Sequence, residues 1–177
     1  MTDDRTVTVS ADPGRVDVDV VWEFLSTAAY WGRWRAREDV VAQVRDAWRV
    51  VGAYASDGSM VGFARAFSDG RSTAYLADVF VVADRRGAGV ARELLEEMID
   101  RGPGREFRWM LHTADAHPLY EQFGFRPPDG SYLERSGVRP LTRWSGEIGL
   151  PMWATSQPAT TKARASWCPA SWRVAPQ

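Results

Sequence analysis

The run Ala74-Tyr75-Leu76-Ala77-Asp78-Val79-Phe80-Val81-Val82 constrains this chain most: it is its longest β-rich apolar stretch, and a glycine-containing loop and a helical pattern follow at once. A strand apolar towards both sides belongs inside a sheet and needs cover on each face. One carboxylate, Asp78, interrupts it. After the loop Ala83 to Gly87, Leu94, Leu95, Met98 and Ile99 fall at helical spacing within Val90 to Ile99, and Gly102-Pro103-Gly104 stops that helix. The central unit is therefore strand, tight loop, helix.

Upstream, Val16, Val18 and Val20 alternate with Asp17 and Asp19, which predicts a half-buried strand, before Trp22-Glu23-Phe24-Leu25 opens a helix. The segment Tyr30 to Arg35 interrupts it. From Arg37 to Trp48 a second helix is expected, with Val40, Val41, Val44, Ala47 and Trp48 near one face. Val50 to Ala55, the turn Asp57-Gly58 and Met60 to Phe67 read as a β-hairpin, because Asp-Gly supplies the positive φ angles of a tight turn. Asp69-Gly70 marks the next turn. Downstream, Phe107 to Leu111 reads as a strand, and Asp115 as the cap of a short helix with Pro118 in its first turn and Gly124 at its end. Phe125 and Tyr132-Leu133 are expected to close the sheet. Trp22 and Trp48 read as core.

A length of 177 residues suits one domain with an appendage, and 45% hydrophobic with 25% charged residues is ordinary globular composition. The net charge of -1 gives no global field for nucleic acid. Basic residues gather beyond Ser136, which leaves a slightly acidic body tolerant of a cationic substrate. The only cysteine, Cys168, excludes an internal disulfide framework and a cysteine-cluster zinc site, and no metal is expected. The polar start Met1-Thr2-Asp3-Asp4-Arg5 is not a signal peptide, and no run reaches the roughly 18 apolar residues of a membrane span. A cytoplasmic monomer or homodimer is the expectation. From Ser136 prolines and tryptophans accumulate without a helical or strand period, so residues 1–135 are read as the folded domain and 136–177 as a poorly ordered extension. Its four tryptophans, Trp144, Trp153, Trp167 and Trp172, keep docking onto the body or a partner open.

The loop carries the first chemical signal. Small residues in Arg86-Gly87-Ala88-Gly89-Val90-Ala91 let backbone approach a bulky anion, and N–H groups at a helix start stabilise its charge. Arg85 and Arg86 add possible charge-assisted bonds to phosphate. A dinucleotide fingerprint is missing its third small residue, since Arg92 stands there, and the Gly-Lys-Ser/Thr of a P-loop is absent.

Arg86-Gly87-Ala88-Gly89-Val90-Ala91 resembles the GNAT cofactor signature, Gln/Arg-x-x-Gly-x-Gly/Ala. Thr113-Ala114-Asp115-Ala116-His117-Pro118-Leu119-Tyr120-Glu121-Gln122-Phe123-Gly124-Phe125 resembles the later GNAT motif, which ends in Leu-Tyr, a few helical residues and Gly-Phe. The resemblance spans about Asp17 to Arg135. It implies an α/β (α+β) GNAT fold: a mixed, mostly antiparallel sheet, splayed at the acyl-CoA site and flanked by helices. It further implies acetyl-CoA as acyl donor, its pantetheine paired with Phe80, Val81 and Val82 and its pyrophosphate held by Arg86, Gly87, Ala88, Gly89, Val90 and Ala91. The implied reaction is direct attack of a small-molecule or protein amine on the thioester, with Tyr120 as the acid for the departing thiolate.

The base is open. Asp78 either deprotonates the amine through water, its pKa raised by burial, or only hydrogen-bonds a neighbouring loop. His112 reads as strand packing, and His117 as solvent-facing, substrate-binding or a proton relay. Trp31, Arg33 and Trp34, with Arg37, are candidates for the acceptor pocket, where aromatic walls hold an amine and an arginine a carboxylate. Core closure is the other reading of the two tryptophans. Beside the transferase stand a non-catalytic acyl-CoA-binding module and an interaction protein without cofactor.

Overall fold

The computed structural model describes residues 7–135, and the extension read at 136–177 lies outside the described residues. Five strands form one sheet in the order β1-β2-β3-β4-β5: β1 Thr8–Ser10, β2 Arg49–Tyr54, β3 Met60–Ser68, β4 Thr73–Val81 and β5 Arg108–Met110. Neighbours from β1 to β4 pair antiparallel, and β4 pairs with β5 in parallel. The sheet is thus mixed and mostly antiparallel, as expected. The Asp57-Gly58 hairpin is present, with Gly58 at φ 87°, and Asp69 holds the next turn through its carboxylate on the N–H groups of Arg71, Ser72 and Thr73.

Helix α1 (Val18–Thr27) begins where a strand was expected. Asp17 is its cap: Oδ1 accepts from Asp19 N at 3.0 Å and Val20 N at 3.2 Å, satisfying N–H groups that the first turn leaves free. Val21 and Leu25, one turn apart, are the buried face. Helix α2 (Arg37–Arg45) ends three residues before the expected Trp48, because Arg49 already pairs in β2. Both helices pack on one face of the sheet around Val21, Leu25, Val40, Val50, Tyr54, Phe63 and Phe80, with Trp22 against the same cluster. Phe24 stacks on Phe80 at 4.0 Å.

The other face is covered by α3 (Val90–Leu95), which widens into a π-helical turn over Glu96–Asp100 and buries Leu94, Leu95, Met98 and Ile99 against Val51, Ala64 and Leu76. Trp48 packs there too. Helix α4 (His117–Glu121) carries Pro118 in its first turn, but Asp115 is not its cap; Thr113 Oγ1 accepts the Ala116 N–H instead, at 3.1 Å. Gly124, at φ 80°, turns the chain out of it. Among the described residues no strand follows β5, so Phe125 and Tyr132-Leu133 do not close the sheet. Pro127-Pro128 removes two N–H donors where such a strand would have to pair.

One irregularity bears on the site. On β3 and β4, Phe63 faces Phe80 but Arg65 faces Ala77, so Ala64 spans Asp78 and Val79 in a β-bulge. Asp78 takes φ 53°, a left-handed conformation that Asp and Asn tolerate better than most residues. The extra residue reverses the pleat. Leu76 therefore packs towards α3, while Phe80 packs towards α1.

Candidate active site

Strands β4 and β5 stay together for only three residue pairs, Thr73 with Arg108, Ala74 with Trp109 and Tyr75 with Met110. Beyond Tyr75, β4 runs on to Val81 without that partner, so its edge opens. Which groups line the opening follows from the two-residue period. Val82 N donates to Val61 O at 2.9 Å, which turns its polar groups towards β3. Phe80, two residues earlier, has the same orientation, and its ring is buried against Phe24. Val81 faces the open side. Of the three residues expected to pair with an extended amide ligand, Phe80 and Val82 turn their main-chain groups inward, and Val81 offers its N–H. Its carbonyl accepts from Arg86 Nε at 3.0 Å, so Arg86 is folded back onto the strand instead of reaching outward.

The loop from β4 to α3 begins with a 3-10 turn, Ala83–Arg85. Gly87 at φ 76° and Gly89 at φ 83° then reverse the chain, in conformations that other residues reach only with strain. The first bond into α3 runs from Glu93 N to Gly89 O at 3.1 Å. The N–H groups of the preceding turn have no intrahelical acceptor. Arg86 to Gly89 are exposed; the Arg86 N–H is taken by Ala83 O at 3.4 Å, and the rest of the turn presents main-chain donors to solvent beside the open edge of β4. That fits a diphosphate on the turn with an amide-bearing arm along the strand.

Tyr120 is 9% exposed on α4, with its ring edge-on to Phe125 at 5.8 Å. Burial, helped by Asp115 and Tyr30, pushes its phenol up to about 12. The phenol therefore stays protonated at neutral pH. Tyr30, half exposed, accepts the Ala114 N–H at 3.1 Å and so ties the α1–α2 connection to the loop before α4. Sequence reasoning missed its role, although the Tyr30-Trp31 pair stood out.

Of the two settings expected for Asp78, the structure shows the bond to a neighbouring loop. Arg35 grips it with both terminal nitrogens, Nη2 to Oδ1 at 2.7 Å and Nη1 to Oδ2 at 3.0 Å, and Arg65 Nε reaches Oδ2 at 2.9 Å. Gln43 accepts from Arg35 Nη1 at 2.7 Å. All three charged residues are buried. Burial pulls the Asp78 carboxyl up, but the hydrogen bond from Arg35 and the charges of Arg65 and Arg35 outweigh it, and the net direction is down. A carboxylate with both oxygens engaged and an acidity greater than usual is a poor proton acceptor for an amine. The geometry therefore makes Asp78 a counter-ion that pins the α1–α2 connection to β4.

Trp31 packs against the α1–α2 core, whereas Arg33 and Trp34 are exposed. Trp34 Nε1 donates to Trp31 O at 3.1 Å, and the Arg35 guanidinium lies 5.8 Å from the Trp34 ring. Arg37 is engaged with Asp19. His117 is exposed and lines a cavity of about 550 Å³ with Tyr120 and His112. His112 is not packed as a strand residue: it lies beyond the end of β5, its Nδ1 2.5 Å from Tyr75 Oη and its Nε2 3.0 Å from Glu134 Oε2. Among the described residues no three His, Cys, Asp or Glu side chains gather as a metal site, and no helix is long and apolar enough to cross a membrane.

Comparison with known proteins agrees with this layout. The model of the acetyltransferase (GNAT) family matches residues 19–125. A structure of a GNAT-family protein from Xanthomonas campestris pv. campestris is similar at 32% identity and TM-score 0.70, over 75% of this chain and 94% of that one. A GNAT-family acetyltransferase from Streptococcus pneumoniae (18% identity, TM-score 0.57, 74% and 100% covered) shares the fold. So does a Clostridium acetobutylicum protein crystallised with acetyl-CoA (14% identity, TM-score 0.57, 74% and 96% covered). No curated protein matches the chain.

Proposed function

We propose that this chain, which belongs to the GNAT acetyltransferase family, moves an acetyl group from acetyl-CoA to a primary amine by direct attack in a ternary complex. The observation that carries this reading is the parting of β4 from β5 after Tyr75, with the glycine turn at one end of the opened edge and Tyr120 on the helix that follows β5. Acetyl-CoA supplies an activated acyl group as a thioester. On this reading Val81 N–H holds the pantetheine arm, the main-chain donors of Gly87 to Ala91 hold the pyrophosphate, and Tyr120 gives its proton to the leaving sulfur. Asp78 is not assigned the base. Its pair with Arg35 instead fixes the α1–α2 connection, whose exposed Arg33 and Trp34 flank the acceptor's approach beside Tyr30.

The test is calorimetric titration with acetyl-CoA, followed by a screen of primary amines and lysine peptides for CoA release. Saturable binding with amine-dependent release is expected. Binding without release for any acceptor would favour a non-catalytic acyl-CoA-binding module, and absence of binding would overturn both.

A further inference from the structure

We propose that Arg86 is a latch on the opened edge of β4: its guanidinium closes the Val81 carbonyl to the pantetheine arm until a diphosphate on the glycine turn draws it away. The proposal rests on the acetyl-CoA site of the reading above and adds to it a coupling between the two halves of that ligand. The contact itself is direct, Arg86 Nε to Val81 O at 3.0 Å, and partly buried.

Its place follows from the strand register. Gly62 and Val81 are partners across β3 and β4, and the next pair along is bonded, Val82 N to Val61 O at 2.9 Å. Bonded and non-bonded pairs alternate along an antiparallel ladder, so Val81 turns both its N–H and its carbonyl away from β3. That is the side β5 has left, since β4 and β5 pair only as far as Tyr75. The 3-10 turn Ala83–Arg85 brings the chain round so that the Arg86 guanidinium meets Val81 on this open side. An extended amide ligand on a strand edge uses both main-chain groups, an N–H that donates to it and a carbonyl that accepts from it. Val81 offers the first, and Arg86 covers the second.

The guanidinium has a stronger partner within reach of its turn. Among the described residues no carboxylate pairs with Arg86, so its charge is held by one bond to a neutral carbonyl. A charge-assisted, two-pronged bond to phosphate is stronger than that. Arg86 immediately precedes Gly87, the first of the two left-handed glycines that shape the turn assigned to the diphosphate, and it is exposed, which leaves its side chain room to turn there. A ligand with the diphosphate replaces the bond that it breaks. One with the arm alone breaks it without replacement. Each half of acetyl-CoA therefore favours the binding of the other, by the same factor in both directions. Arg86 is in this sense a positioning residue, which acts on the arm through Val81.

The experiment is calorimetric titration of the full chain with acetyl-CoA, with S-acetylpantetheine, and with phospho-ADP, the nucleotide half that lacks the arm, in wild type and in Arg86→Met. In wild type, saturating phospho-ADP should tighten S-acetylpantetheine binding about tenfold, the size of one net hydrogen bond. Methionine keeps a long apolar stem and has no donor. S-acetylpantetheine alone should bind Arg86→Met about tenfold tighter than wild type. Phospho-ADP should bind it more weakly, and the coupling between the two ligands should vanish. Thermal melts check that the substitution, at an exposed residue, leaves the fold intact, and the wild-type coupling needs no variant. A wild type that binds acetyl-CoA while S-acetylpantetheine is indifferent to phospho-ADP overturns the latch and leaves the acetyl-CoA site standing. Coupling that survives in Arg86→Met, or an unchanged affinity of that variant for S-acetylpantetheine, overturns it too. A wild type that binds none of the three ligands overturns the site and the latch together.

Discussion

Arg35 and Asp78, 43 residues apart in the chain, close a two-pronged ion pair at 2.7 and 3.0 Å in the interior. The pair joins the connection between α1 and α2 to the bulge of β4. Arg65 adds a second guanidinium to the same carboxylate, so the buried group holds two positive charges against one negative. Removing the carboxylate leaves two cations without their counter-charge. Asp78→Asn is expected to destabilise the fold by about 3–5 kcal/mol, the range for breaking a buried pair, as read from urea unfolding. Asparagine accepts the same left-handed backbone, so the loss measures charge rather than strain. An unchanged unfolding midpoint would show that the pair is not buried as described.

The same carboxylate gives acid stability a direction. Asp78 holds its proton less tightly in the folded protein than in the unfolded chain, because the arginine contacts outweigh the burial that opposes them. Its stabilisation is present above the ordinary carboxylate range, near 4, and is lost as pH falls through the lower folded value. Unfolding free energy measured from pH 6 downward should therefore drop more steeply in wild type than in Asp78→Asn. Parallel profiles would remove Asp78 from the acid response.

What could be read from the residue order alone follows the range of the forces involved. The Asp57-Gly58 hairpin and the Gly87 and Gly89 turn are set by φ at single positions, and they were legible. Val16 to Val20 was not, since five residues of Val-Asp alternation suit a strand, and only the reach of Asp17 to Asp19 N and Val20 N decides for a helix. The first strand, Thr8–Ser10, went unread although Thr6-Val7-Thr8-Val9 alternates. Asp78 was singled out, but its partners lie 43 and 13 residues away, and the bulge that turns it inward depends on the register with β3. His112 was taken as packing because strand length cannot be counted from five residues; β5 ends two residues earlier.

Tyr120 should behave as an acid whose proton is hard to remove. Burial raises its phenol to about 12, against about 10 for an exposed tyrosine. Stability that depends on the neutral phenol is full below the unfolded value and is lost as pH rises towards the folded one. The phenolate absorbance titration should show late-ionising tyrosines, Tyr54 and Tyr75 also being raised by burial, and should lose one of them in Tyr120→Phe. In transfer assays the same substitution should lower kcat by about 100-fold and leave acetyl-CoA affinity within twofold, as expected for a group that acts on the departing sulfur. A loss confined to affinity would make Tyr120 a packing residue.

Gly89 separates backbone strain from ligand contact. Its φ of 83° is costly for other residues, yet a Cβ placed there meets no atom within 4 Å, so alanine encounters no clash. Gly89→Ala should therefore cost only about 1–2 kcal/mol of backbone strain, and Gly89→Asn less. Binding should suffer more than folding, because the added methyl group stands on the turn whose N–H groups are assigned to the pyrophosphate. S-acetylpantetheine lacks the pyrophosphate and provides the control. Gly89→Ala is expected to weaken acetyl-CoA binding at least tenfold, about 1.4 kcal/mol, while S-acetylpantetheine keeps its wild-type affinity. Equal weakening of both ligands would detach the turn from the pyrophosphate and make its glycines purely conformational.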